Sequence, residues 1–346
     1  MIAGCYGTLS KVICVVYICL EIQSLAVMVM VLSHSWRCVG NGSLNYVQFY
    51  CLAGFLFLFG VVLTYGQVGS LGVEYVAEVI TALACVGYVS NYLCWSWTSS
   101  LIGLLVKVSS FPVNYGVLNI YESVPLCVLF LLVVLTQFYV VVVLSVGGLC
   151  FRLTLSYIVL GFLSCFTGSL GVCVETGIAR CLGYSSVGNT GFLLLGLGCG
   201  NEIFNSYVIL WSLCYSIGLF LFGVVYGCTV GYVPYYLSIV CSLVRLDELC
   251  GLAYSDSLLG LGLSCALICL MGLTFTLGLL FKYYFWLVSS LLGLGLVLVL
   301  SLYSILSSVC YWRWLERVLF TLSWSVLRIC LYTLLEVSWW ALACMV

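Results

Sequence analysis

A chain of 346 residues in which 65% are hydrophobic and only 6% charged is not a water-soluble domain, which carries about 25% charged residues to solvate its surface. Its net charge of −1 supplies no basic face for nucleic acid. Apolar runs of about 20 residues, enough for a helix to cross roughly 30 Å of hydrocarbon, recur along its length instead. Stretches such as Val128 to Val146 are apolar on every face, whereas a membrane β-barrel would alternate in polarity over segments of about 10 residues. The expected fold is all-α, a polytopic membrane helix bundle of about ten transmembrane helices.

The opening segment, Met1 to Lys11, is short and leads into the apolar run Val12 to Leu32. That run is too long for the core of a signal peptide and has no small-residue cleavage site, so it reads as a first retained helix. Hydropathy and helix breakers then place spans at 12–32, 46–66, 89–108, 125–146, 149–173, 182–199, 204–227, 256–283, 287–311 and 317–341. Two further apolar stretches, 73–86 and 229–244, carry Glu74, Glu78 or Pro234 and read as short or interfacial helices. The polar junctions are brief; the richest, Arg245-Leu246-Asp247-Glu248, reads as a solvated turn. No linker long enough to divide the chain appears, so one domain over 1–346 is expected. Basic residues are too few to orient it by charge asymmetry.

The 22 cysteines invite a disulfide or metal reading. No two of them show the two-residue gap of zinc and redox motifs, and the single histidine is His34. Most, such as Cys14, Cys19 and Cys127, sit within apolar runs where a small side chain fits. Abundant Leu, Val, Gly, Cys, Phe, Tyr and Trp, with scarce Pro, His, Lys and Gln, correspond to codons rich in T and G. Such drift fits a small organellar genome, and the expectation leans to a mitochondrial inner membrane.

Against this background an ionisable group at bilayer depth costs about 2.5 to 3.5 kcal/mol and calls for a reason. Glu21 falls near the middle of the first span, Lys107 near the end of the third and Lys282 deep in 256–283, where Gly272 and Gly278 can loosen or break the helix. Desolvation brings buried carboxylates and lysines closer to neutral titration, so groups linked by water can pass a proton by changing charge in turn. Read from position alone, the lysines can equally snorkel to the interface while Glu21 makes a structural hydrogen bond.

The surrounding residues favour the first reading. Glu21-Ile22-Gln23-Ser24-Leu25-Ala26 resembles the Glu-Leu-Gln-Ser-Leu-Ala motif of the subunit 2 family of mitochondrial NADH:ubiquinone oxidoreductase, respiratory complex I. The span from Tyr46 through Ala53-Gly54 to Tyr65-Gly66 is similar to that family's following helix. Lys107, Phe111-Pro112 and Tyr121-Glu122-Ser123-Val124-Pro125 align without gaps to its lysine, Phe-Pro-Phe-His and Asp-Val-Tyr-Glu-Gly-Ala-Pro, with Asn114 and Asn119 replacing the histidine and the aspartate. Arg180-Cys181-Leu182-Gly183-Tyr184-Ser185-Ser186-Val187 resembles Arg-Leu-Leu-Ala-Tyr-Ser-Ser-Ile. Asp247-Glu248-Leu249-Cys250-Gly251-Leu252-Ala253 resembles Asp-Leu-Lys-Gly-Leu-Ala. Gly272-Leu273 and Gly278 lead to Lys282 at the spacing of Gly-Ile-Pro-Pro-Leu-Ala-Gly and its lysine, and Tyr311-Trp312-Arg313 resembles the end of the penultimate helix. The pieces follow the family's order over residues 20 to 313.

There are departures. Gln137 stands where the family has a lysine, and Thr274 and Phe275 replace paired prolines, so helix breakage before Lys282 must come from glycine. The chain also begins almost at the glutamate helix, so an earlier helix of the family is expected to be lost or supplied by a second polypeptide.

The resemblance implies an antiporter-like, proton-translocating subunit of the complex I membrane arm, with inverted half-repeats at about 12–146 and 149–311, a broken helix in each, and a C-terminal helix at about 317–341. Glu21 would control the charge on Lys107, the central carrier. Gln137 would only hydrogen-bond a water chain, and Lys282 would exchange protons with the opposite aqueous side. No cofactor is expected on this chain: flavin and iron–sulfur clusters would lie on other subunits, and neither a nucleotide loop nor cluster-ligand spacing is present. Quinone binding is not expected here either. Partners would be other membrane-arm subunits, including sister antiporter-like ones, and lipid. The alternatives are sister subunit 4 or 5, a free cation/proton antiporter, and a structural membrane-arm subunit that no longer pumps, for which Gln137 is the best argument. Arg180 is expected to anchor the interface or Glu175; Arg328 and Glu336 share a helical face without an assigned role. Trp95, Trp97, Trp339 and Trp340 fit interfacial belts and packing.

Overall fold

The computed structural model describes residues 12–34, 40–72, 75–76, 78–79, 82, 91–114, 118, 121, 133, 154–198, 202–231, 257–272, 282–283, 286 and 294–319. Among these, eight long helices account for nearly all the backbone: α1 Ile13–His34, α2 Gly40–Val68, α3 Asn91–Lys107, α4 Thr154–Val174, α5 Ile178–Gly198, α6 Glu202–Gly231, α7 Ser257–Met271 and α8 Leu294–Leu319. The β-structure at the described positions includes an isolated bridge between Val12 and Gly72. Five of the helices are long and apolar enough to cross a membrane. The helical expectation therefore holds wherever it can be read, and span 125–146 lies outside the described residues apart from Val133.

One expected break is seen and one expected boundary is not. The run 256–283 is interrupted at glycine: α7 stops at Met271, where Gly272 turns to φ +66°, the left-handed conformation that lacks a penalty only in glycine. Its amide donates to the carbonyls of Ile268 and Cys269, both at 3.2 Å, closing the helix end in the manner of a glycine cap. At the other end, no break separates 287–311 from 317–341, because α8 continues to Leu319. Tyr311, Trp314, Leu315 and Val318 are all buried at spacings of three and four, so an apolar face carries the helix through Arg313, Glu316 and Arg317. The exposed Arg313 thus lies within a continuing helix rather than at its end. The remainder of the expected C-terminal helix lies outside the described residues, as does most of 229–244, while the described positions of 73–86 are helical.

The chain forms two compact units, one comprising Met1–Gly161 with Leu193–Ile209, the other Phe162–Phe192 with Leu210–Val346. Within the first, α2 packs along both α1 and α3. It buries Tyr46, Tyr50, Ala53, Phe57 and Val61 and exposes Leu52, Phe55, Phe59 and Val62. The exposed face is at least as apolar as the buried one, the pattern of a helix surrounded by lipid. Within the second unit, α7 packs along α8.

Buried serines and threonines are numerous, and most satisfy themselves. Ser24, Thr64, Ser99, Ser186, Thr190, Ser216 and Ser264 each donate to the carbonyl three residues back, so their hydroxyls cost little in an apolar setting. Close approach of α2 and α3 depends on two glycines. A Cβ on Gly103 would lie 2.7 Å from both the Ala53 carbonyl and the Phe57 amide, and one on Gly60 would lie 2.6 Å from the Ser96 carbonyl. These are backbone atoms, which cannot swing aside. Gly103→Leu should therefore separate the helices and cost about 1–3 kcal/mol, seen as a lower thermal midpoint of the solubilised protein. A midpoint equal to wild type would show that this helix pair does not limit stability.

Candidate functional site

The site begins with two helices that bring a carboxylate and an ammonium together across 86 residues of sequence. Glu21 lies on α1, and Lys107 is the last residue of α3. Lys107 Nζ donates to Glu21 Oε1 at 2.7 Å, with 3% of the lysine side chain exposed and 28% of the glutamate. This is a charge-assisted bond at close to its shortest length. The lysine also sits in the last turn of its helix, where the negative end of the helix dipole favours a cation.

Three local features hold the pair. First, α3 ends abruptly: Ser110 N–H donates to the Leu105 carbonyl and Ser109 N–H to the Val106 carbonyl, both at 3.1 Å. That is the Schellman pattern, which requires a left-handed residue one position beyond the cap. Here the residue is Ser109, at φ +60°, where glycine would be unstrained, and the chain leaves through a cis Phe111-Pro112 bond. Second, α2 lays two stacked tyrosines over the site, Tyr46 and Tyr50, with ring centroids 4.1 Å apart. Tyr46 Oη donates to the Ser24 carbonyl at 3.3 Å and Tyr50 Oη to the Lys107 carbonyl at 3.5 Å. Third, Gly54 of α2 faces the carboxylate so closely that an added Cβ would overlap Glu21 Oε1. With glycine there, the carboxylate reaches Lys107 without having to shift.

Lys282 belongs to the other unit and is held differently. Its ammonium donates to the Met271 carbonyl at 2.5 Å. Met271 ends α7, so its carbonyl is among those that a terminated helix leaves without an internal partner. A cation against this end meets both the free carbonyl and the negative end of the dipole. Glycine thus breaks the helix, as the lost prolines required, and the lysine eleven residues on covers the break. Gln137 lies outside the described residues, so the structure brings together Glu21 and Lys107 and positions Lys282 separately.

The second unit also contains an uncharged polar cluster that sequence reading did not single out. Ser185 Oγ on α5 is hydrogen-bonded to Tyr215 Oη on α6 at 2.8 Å and to Tyr311 Oη on α8. One turn along α5, Asn189 Oδ1 accepts from Trp211 Nε1 at 2.6 Å, while the buried Asn189 Nδ2 has no protein partner among the described residues. Each hydroxyl can donate or accept a hydrogen bond, so the triad is a short polar thread through an apolar core. The signals were present, in Tyr184-Ser185-Ser186 and Tyr311-Trp312-Arg313, but sequence gives no means of pairing them. Nearby, Arg180 reaches Glu175 at 3.5 Å, in line with its expected role.

Comparison with known proteins sharpens this picture. Residues 10–310 match the model of a family described as NADH:quinone oxidoreductase/Mrp antiporter, transmembrane. The chain is 26% identical to NADH-quinone oxidoreductase subunit N of Hydrogenovibrio crunogenus over 229 residues, covering 62% of this chain and 47% of the relative. It is 27% identical to NAD(P)H-quinone oxidoreductase subunit 2 of a Synechococcus strain over 256 residues, covering 70% of this chain and 45% of the relative. It spans about half the length of these curated relatives. Among solved structures, a chain of the Mrp complex from Dietzia superposes with a TM-score of 0.79 at 18% identity, over 92% of this chain and 59% of that one, which establishes a shared fold.

The geometry predicts that Gly54 and Glu21 act as one element. Gly54→Ala should displace the carboxylate and reproduce much of the effect of Glu21→Gln. Each should cost about 2 kcal/mol, less than the roughly 3–5 kcal/mol of breaking a fully enclosed pair, because Glu21 is only partly enclosed by the protein. Thermal melts of both single variants and the double variant form a cycle; strictly additive losses would show that the glycine does not act through the carboxylate.

Proposed function

Because the chain belongs to the NADH:quinone oxidoreductase/Mrp antiporter family of transmembrane proteins, we propose that it is the antiporter-like, proton-translocating subunit 2 of a complex I membrane arm. The observation that carries this reading is the 2.7 Å pair between a carboxylate and a lysine with 3% of its side chain exposed. The names of the relatives, NADH-quinone oxidoreductase subunit N and NAD(P)H-quinone oxidoreductase subunit 2, support it, as do the motifs around Glu21, Lys107 and Lys282.

In the proposed mechanism Lys107 carries the proton and Glu21 controls it. With the carboxylate at contact distance, the protonated ammonium is held by a charge-assisted bond that offsets the cost of its burial. When the carboxylate withdraws, the desolvated ammonium is left without a partner and releases its proton to the next group. Gln137 occupies the next position in the relay and passes the proton through hydrogen-bonded water, because an amide cannot take up the charge. Lys282, against the open end of α7, exchanges with the opposite aqueous side. Electron transfer, with its flavin and iron–sulfur clusters, belongs to other subunits of the assembly. The surroundings proposed are the mitochondrial inner membrane, with sister antiporter-like subunits as neighbours. A second reading, a membrane-arm subunit that assembles but does not conduct, draws on Gln137 alone.

Lys107→Met keeps length and apolar volume while removing the charge. It should leave assembly largely intact and lower the number of protons moved per electron during NADH oxidation in sealed vesicles. Wild-type stoichiometry in that variant would eliminate Lys107 as carrier. Isolation of the native membrane assembly provides the independent check on context: co-migration with other complex I subunits is expected, and their absence would overturn the assignment. Gln137→Lys, which restores a titratable group, should raise proton flux if the amide limits the relay.

A further inference from the structure

The geometry points to Cys173 and Cys310 as a thiol pair that closes to a disulfide under oxidation by peroxide, covalently joining α4 to α8 within the second unit. Their sulfurs lie 2.7 Å apart, although the residues are 137 positions apart in sequence. The Cys310 thiol also donates to the Ser169 carbonyl at 3.9 Å, one turn before Cys173 on α4. Cys310 is thus lodged between two small residues of the facing helix, which lets the backbones come close. A formed disulfide is about 2.05 Å long, so closure needs a shift of under about 1 Å rather than a rearrangement of helices.

The surroundings give the two thiols different roles. Cys173 is half-buried, one residue before the 79%-exposed Val174 and beside the Glu175–Arg180 pair at the polar junction of α4 and α5. The exposed Arg313 lies one turn beyond Cys310 on α8. A partly exposed thiol near a cation is the type that peroxide attacks. Cys310, with 1% of its surface exposed, is shielded from the oxidant and placed to resolve the product. In the first step the Cys173 thiolate displaces hydroxide from hydrogen peroxide and becomes a sulfenic acid. In the second the Cys310 sulfur attacks that sulfenyl sulfur, forming the S–S bond and releasing water. Overall two thiols and one peroxide give one disulfide and two waters, so sulfur loses two electrons and the peroxide oxygens gain them. A thiol reductant reverses the bond.

Two other buried cysteines among the described residues are placed differently. Cys165 donates to the Gly188 carbonyl at 3.6 Å and Cys181 to the Glu175 carbonyl at 3.2 Å, each facing backbone oxygen rather than sulfur. Tyr311 directly follows Cys310, so the bond would also fix the register in which α8 presents its hydroxyl to Ser185. The inference stands independently of the proposed transport role.

The test is peroxide treatment of native membranes containing the full chain, followed by alkylation of remaining thiols, proteolysis without reductant and mass spectrometry. The expected result is a linked pair of peptides carrying Cys173 and Cys310, lost on reduction with dithiothreitol. Cys173→Ser and Cys310→Ser should each abolish the link, and in Cys310→Ser the Cys173 sulfenic acid should persist and be trapped by dimedone. Complete alkylation of both residues at peroxide doses that oxidise the exposed Cys51 would overturn the proposal, as would a disulfide from either residue to a different cysteine.

Discussion

The first unit is organised around one constraint: an ammonium that has lost its water must be given something in return. Lys107 receives a carboxylate at 2.7 Å and the end of a helix. The supporting features follow from that requirement. Gly54 clears the space the carboxylate occupies, Tyr46 and Tyr50 tie α1 and α3 to α2 through backbone carbonyls, and Ser109 accepts a left-handed conformation so that α3 can stop where the lysine is needed. An ion pair taken out of water is a weak source of stability, since apolar residues of similar volume often do as well or better. Yet the pair is assembled from three helices and a strained turn. Fold stability alone does not account for that arrangement.

The two lysines differ in an instructive way. Both lie where a helix has been interrupted, and in both cases the interruption contains a residue of positive φ, Ser109 in one and Gly272 in the other. An interrupted helix in an apolar medium exposes carbonyls that water cannot reach, and each unsatisfied group costs several kcal/mol. At α3 the chain closes the gap with its own amides in a Schellman turn. At α7 the glycine amide satisfies part of the end and Lys282 covers the terminal carbonyl. A full carboxylate charge fixes Lys107 more firmly than a carbonyl dipole fixes Lys282, so the second lysine is the easier to move.

Much of this was legible in the sequence, for a physical reason. In a chain with 6% charged residues, every buried charge is conspicuous, and the apolar runs announce helices without help from amphipathic patterning. Glu21, Lys107 and Lys282 were therefore identifiable, as was the helix break before Lys282. What could not be read was anything depending on which helix faces which. Gly54 appeared as part of a helix motif, not as the space into which Glu21 fits; Ser185 and Tyr311 appeared in two separate motifs, and nothing in the sequence pointed to Tyr215 as their partner. The boundary of α8 failed for the opposite reason. The expected spans left residues 312–316 between two segments, but Tyr311, Trp314, Leu315 and Val318 are buried along a helix that continues through them. Hydropathy averaged over a window cannot separate those two cases.

The cysteines show how far a compositional explanation reaches. Base-composition drift, the expected source of the many cysteines, would fill positions where any small apolar side chain serves. It does not account for where two of them meet. Random filling of apolar positions places sulfurs against carbonyls, methyls and rings, as Cys165 and Cys181 illustrate. The contact between Cys173 and Cys310 requires two small residues on facing helices at the same height, and Ser169 one turn away extends that close approach. An abundance of cysteine makes such a meeting possible, while helix packing selects the place. Composition explains the supply, and only the fold explains the pairing.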